Sequence, residues 1–251
     1  MNRLELIGLT GLGEVGTGDS LGRLICEACS SQRIDLIEND VLVVAQKIVS
    51  KAEGRVVQLD RIQPSVRAVE LAGKLDKEPA VIEIILSESR RIVRLGRRTI
   101  IVETHHGFVC ANAGVDLSNV GLGRVALLPK DPDASARTIR EEIQERLGLR
   151  PAVIISDSFG RPWRIGTVDV AVGVSGLKAT KDERGTKDRY GYELKASVAA
   201  IADEIASAAE LVMGKKNGIP VAIVRGYATE KEDGSVQQLL RPESEDLFRH
   251  F

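Results

Sequence analysis

The stretch ANAGVDLSN, residues 111–119, closes an apolar run with Asn-Ala-Gly and then presents Asp116 and Asn119 three residues apart. A carboxylate and an amide just past a strand end are well placed to hold a hard cation through oxygen. Taken alone, this spacing is explained better by an Asx turn that only shapes the loop. The stretch IISDSFGRPWRIG, residues 154–166, is the second signal. A buried strand delivers Asp157 and Ser158 to its end, and Arg161 and Arg164 follow with two glycines. Carboxylate and hydroxyl can hold Mg2+, and arginines can clamp phosphate or carboxylate oxygens. Two carboxylates from separate strands can flank a metal that bridges phosphates. A capping aspartate beside solvated arginines is the plainer alternative, and so tight a cluster favours function.

Two further segments offer phosphate contacts. QKIVSK, residues 46–51, follows a buried strand, and Lys47 and Lys51 could meet nucleotide phosphates. Solvated lysines are the ordinary alternative. MGKKNGIP, residues 213–220, is a glycine-bracketed loop between helix and strand. Its amides could cradle a base or phosphates, and a plain connection explains it almost as well.

Other motifs point away from their usual chemistry. GLGEVG, residues 11–16, matches the dinucleotide fingerprint, but residues 17–20 delay the helix whose amides would face a pyrophosphate. A bending loop, or one whose amides touch a nucleotide, remains open. Cys26 and Cys29 share one amphipathic helix without a second pair, so zinc is not expected and Cys29 reads as core. His105 and His106 occupy a turn and point apart. No P-loop consensus occurs.

The elements that must position these residues follow from periodicity. Strands are expected at 4–9, 40–45, 153–156, 168–174 and 220–225, with two short extended pieces in 48–59. Residues 91–95, 99–103 and 108–112, joined by short turns, predict an antiparallel meander. Helices are expected after an N-cap at Asp19 or Ser20, from Pro64 to Leu75, over 79–89, over 135–147 and over 193–213, with a short helical tail. Hairpins and helices are segregated, which favours α+β, with mixed, largely antiparallel sheets, over a doubly wound fold.

With 251 residues the chain is long enough for one large domain or two small ones. A net charge of −1 provides no global field for nucleic acid, so an anion site must be local. Three cysteines argue against a disulfide scaffold and fit a reducing, cytoplasmic setting. The N-terminus does not read as a signal peptide, and no apolar stretch approaches a membrane span.

The strings VVAQKIVSKAEGR, ANAGVDLSNV, LLPKDPDASA, IISDSFGRPWRIG, VGVSGLKATKDERGTKDRYGYEL, ADEIASAAELVMG and GIPVAIVRG, in this order, resemble the coenzyme F420-0:L-glutamate ligase family. The resemblance implies one ligase domain over residues 1–251, an α+β fold in two subdomains, and a homodimer. It implies GTP-driven amide formation between L-glutamate and the lactyl carboxylate of F420-0 through an acyl phosphate, with further γ-linked glutamates in some members. Asp116, Asp157 and Ser158 then correspond to ligands of Mg2+ or Mn2+, with K+ as a further candidate. Leu12, Gly13, Glu14 and Val15, together with Gln46, Lys47, Lys51 and Asn119, correspond to GTP contacts. So do Met213, Gly214, Lys215, Lys216, Asn217, Gly218 and Ile219. Some archaeal members carry a metal-binding acidic residue directly after Met-Gly, where this chain has Lys215. The C-terminal flavin-binding domain of mycobacterial relatives is not expected here. A metal-dependent phosphohydrolase using the same aspartates and a non-catalytic nucleotide-binding module are the competing functions.

Overall fold

The computed structural model describes residues 3–229 and 232–248. Its first part runs β1 (Glu5–Leu9), α1 (Leu21–Ser31), β2 (Val41–Ala45), α2 (Gln46–Ala52) and β3 (Val56–Gln58). A compact middle part follows: α3 (Val66–Leu75), α4 (Pro79–Ser87), β4 (Ser89–Leu95), β5 (Ile100–Thr104), β6 (Val109–Ala111) and β7 (Arg124–Ala126). The chain then returns through α5 (Pro132–Leu147), β8 (Ala152–Arg161), β9 (Arg164–Ser175), β10 (Lys181–Asp182), β11 (Val198–Ala199), α6 (Ile201–Met213) and β12 (Val221–Arg225). The class is α+β, as the segregated pattern implies.

The main sheet has the order β1-β12-β2-β8-β9, and β2/β8 is its parallel pair. Val41, Leu42, Val43 and Val44 are fully buried, which is why this strand reads as a continuous apolar run. α1 packs on α5, which covers β8 and β9, while α6 lies across β1, β9 and β12. A second hydrophobic core, separate from this one, is built by residues between Leu59 and Leu127, with Leu75, Ile82, Ile85 and Ile100 at its centre. The expected meander is present as β4-β5-β6.

Several boundaries differ from the sequence expectation, each for a physical reason. Residues 46–52 form α2 rather than an extended piece. Helical winding seats Val49 in the core and leaves Lys47 and Lys51 one turn apart on a single face. The helix stops at Gly54, whose φ of +67° suits the left-handed stop that only glycine adopts freely. α3 begins after Ser65, whose hydroxyl accepts from the Ala68 amide, so Pro64 lies outside it. α5 begins earlier than expected, at Pro132, capped by Asp131. α6 begins at Ile201, not at 193. Residues 181–199 instead form a small hairpin arm, in which the Leu194 amide donates to the Thr186 carbonyl. The apparent helical stripe through Leu194 and Val198 is coincidental, and Val198 is exposed.

The largest departure lies at β8 and β9. No polar loop separates them. They form one long hairpin turning at Pro162 and Trp163, so Asp157 and Ser158 sit within a strand rather than at its end. Among the described residues no helix is long and apolar enough to cross a membrane.

Candidate active site

A cavity of about 700 Å3 opens where β2 meets α2, bounded by the outer part of the β8–β9 hairpin, the loop after β6 and the loop after α6. Asp116 and Asp157 both line it, although they come from different lobes. The approach to Asp116 is tightly shaped. Asn112, Ala113 and Gly114 all take left-handed φ values of 55–69°. A Cβ on Gly114 would lie 2.8 Å from the Leu128 side chain. The Asp116 amide and carbonyl then bond to Ala126 on β7. Asp116 Oδ1 accepts the Ser118 amide at 2.7 Å, so the Asx turn is real. Its other oxygen takes Lys47 Nζ at 2.8 Å, and the same ammonium donates to Ser118 Oγ at 2.6 Å. The turn therefore coexists with an ion pair to Lys47 on the same side chain.

Electrostatics separate the two carboxylates. Burial pushes the Asp116 carboxyl up, but Lys47 and the Ser118 donors outweigh it and hold it below its ordinary value. Asp157 goes the other way, to about 7. Burial is the main cause, and the neighbouring charges of Asp116 and Asp169 add to it against the Ser158 amide and Lys47. An Asp at this value is short of positive charge, the condition a bound cation relieves.

The glycine loop, α2 and the loop after α6 complete the walls. Gly13, Glu14, Val15, Gln46, Lys47, Lys51, Asn119, Met213, Gly214, Lys215, Lys216, Gly218 and Ile219 line the cavity with Asp116, Asp157 and Ser158. Lys51 forms a short ion pair with Glu14. Gln46 is buried, and its Nε2 has no hydrogen-bond partner among the described residues. Asn119 Nδ2 donates to the Lys215 carbonyl at 3.3 Å and so ties the lobes together across the opening.

Four expected residues lie elsewhere. The Leu12 side chain is buried in the main core, and Asn217 is not among the lining residues. Arg161 and Arg164 sit at the hairpin turn outside the cavity, where Arg161 Nη2 bonds the Ile165 carbonyl. Conversely, Asp169, Glu210, Arg124 and Ser156 line the cavity, although none of them is assigned a site role from the sequence. Asp169 is the one acidic residue in the apolar run TVDVAVGV, a signal that was readable. Burial and Asp169 raise the Glu210 carboxyl against Lys215. The dinucleotide-like loop, the cysteines and the paired histidines form no alternative centre. Cys29 and Cys110 are buried, and His105 and His106 bond separate carbonyls.

The donor set suits a hard cation, since it consists of carboxylate and hydroxyl oxygens. Among the described residues no three His, Cys, Asp or Glu side chains converge to hold a metal on their own. A cation here would therefore share its shell with ligand oxygens and water, as Mg2+ commonly does with phosphates.

The model of the F420-0:Gamma-glutamyl ligase family matches residues 11–226. The chain is 48% identical over 249 residues to the Coenzyme F420:L-glutamate ligase of Methanothermobacter thermautotrophicus, covering 98% of this chain and 99% of that one. It is 50% identical over 214 residues to the same-named protein of Methanocaldococcus jannaschii, covering 85% and 86%. With that of Archaeoglobus fulgidus it shares 43% over 248 residues, covering 98% and 97%.

Proposed function

The chain belongs to the F420-0:gamma-glutamyl ligase family, and from that premise we propose that it joins L-glutamate to coenzyme F420-0 in a GTP-driven reaction. The observation that carries this reading is the meeting of Asp116 and Asp157, from two lobes, in one cavity lined by lysines and by backbone amides.

A free carboxylate is a poor acyl donor because its oxygen is a poor leaving group. Transfer of the GTP γ-phosphoryl group to the lactyl carboxylate solves this and leaves GDP. The glutamate amine then attacks the acyl carbon, the carbon–oxygen bond to phosphate breaks, phosphate departs, and the amine loses a proton. Such chemistry needs positioning and charge neutralisation rather than a protein nucleophile. Asp116, Asp157 and Ser158 would hold Mg2+ or Mn2+, which supplies positive charge to the phosphates when bound. Lys47 and Lys51 lie one helical turn apart and exchange their carboxylate partners for phosphate oxygens. Gln46 offers its unpartnered amide, and the loop over residues 213–219 contributes backbone donors. Further γ-linked additions and a role for K+ belong to the same proposal.

Assembly as a homodimer is part of this reading. The exposed Trp163 and Ile165 at the hairpin turn, with Phe248 against Trp163 at 4.8 Å, are suited to a contact between copies. We place the enzyme in the cytoplasm, without nucleic acid or membrane partners. The test is incubation with F420-0, GTP, Mn2+ and L-glutamate, followed by mass analysis. One glutamyl increment per GDP released supports the proposal. GDP release that ignores glutamate and yields no amide would identify a phosphohydrolase, and nucleotide binding without turnover a regulatory module.

A further inference from the structure

Asp169 stands directly across the β8–β9 hairpin from Ser158 and is only 5% exposed. Its two oxygens are both engaged by hydroxyls. Ser158 Oγ donates to Oδ1 at 2.6 Å, and Ser156 Oγ donates to Oδ2 at 2.9 Å. Its backbone carbonyl accepts Ser207 Oγ from α6 at 2.7 Å, which fixes the strand at this point. No salt bridge reaches it among the described residues. A buried carboxylate held only by neutral hydroxyls is costly, and a structural role in a sheet would be filled as well by an amide. The charge therefore asks for a purpose.

A hydroxyl has one proton and two lone pairs. Once Ser158 commits its proton to Asp169, both lone pairs are available elsewhere and the oxygen becomes a better donor to a cation. We infer that Asp169 is a positioning residue of the cation site, orienting the Ser158 hydroxyl so that its lone pairs face the cavity. The inference rests on the ligase reading for the cation itself. Carboxylates that orient a ligand from behind are a recurrent part of metal centres and tune affinity without touching the ion.

Asp169→Asn separates this role from a structural one. The amide keeps the shape but offers one acceptor and one donor, so one serine must spend a lone pair on it. Binding of Mn2+ in the presence of GDP, read as loss of free-ion signal by electron paramagnetic resonance, should weaken about 10- to 100-fold. Ser158→Ala should weaken it as well, and adding Ser158→Ala to Asp169→Asn should cost little more, because both act through one oxygen. The metal-free melting temperature serves as the structural control. Unchanged Mn2+ affinity in Asp169→Asn, or fully additive losses, would overturn the inference while leaving the ligase reading in place. Absence of Mn2+ binding by the wild-type protein would overturn both. If Asp169→Asn does not fold, Asp169→Thr, which suits a strand and also lacks the charge, carries the same test.

Discussion

Replacing Asp157 by Asn should change how the stability of the metal-free protein depends on pH. The folded-state value of Asp157 is about 7, against an ordinary 3.8. Between these values the native protein keeps a proton that the unfolded chain has released. The wild type is therefore favoured at low pH and loses that advantage as pH rises through 7, where the curve levels. For a single site with these two values, the loss between pH 5 and pH 8 is on the order of 2 kcal/mol. Asn cannot titrate, so Asp157→Asn should lack this slope. Urea unfolding of both proteins at several pH values across that window, without metal, measures the difference directly. The gap between the two curves should close or reverse in favour of the Asn variant as pH rises. Parallel curves would refute the claim that Asp157 is desolvated and crowded by Asp116 and Asp169. The same variant should abolish turnover, since Asn supplies the shape without the charge.

Lys51→Met should raise the KM for GTP about tenfold or more while Tm changes little, because among the described residues the lysine's only ion pair is with the exposed Glu14; an unchanged KM in steady-state assays would remove Lys51 from the nucleotide site. Lys215→Glu adds an acidic side chain to the cavity wall and should lower the Mn2+ concentration for half-maximal activity, and no change would show that the residue faces away. Gly173→Ala should destabilise the fold by about 1–3 kcal/mol, because a Cβ there would lie 2.4 Å from the Pro132 carbonyl oxygen; calorimetry showing a wild-type Tm would contradict this packing. Burial pushes the thiols of Cys29 and Cys110 up to about 11 and about 12, so a thiol reagent at pH 8 should leave both unmodified until the protein is unfolded.

Much of this arrangement was readable from residue order. The buried run at 41–44, the meander of the second lobe and the glycine stop after α5 follow from local periodicity and turn chemistry. What escaped depends on long-range packing. The β-branched Ile48 and Val49 suggest a strand, but the core accepts them from a helix, and only the helix brings Lys47 and Lys51 to one face. The glycines and the proline of 160–166 read as a loop, yet cross-strand pairing turns them into the end of a hairpin and carries Arg161 and Arg164 out of the cavity. Asp169 stands out as the lone acid in its apolar run, but Glu210 acquires meaning only when α6 meets the wall that holds Asp157, which no local window contains.

A crystal soaked with Mn2+ and GDP and measured at a wavelength where manganese scatters anomalously tests the cation site most directly. A peak about 2.1 Å from oxygens of both Asp116 and Asp157, shared with a phosphate of GDP, is the expected result. Bound GDP with no peak between the two carboxylates, or a peak at another part of the molecule, would contradict it.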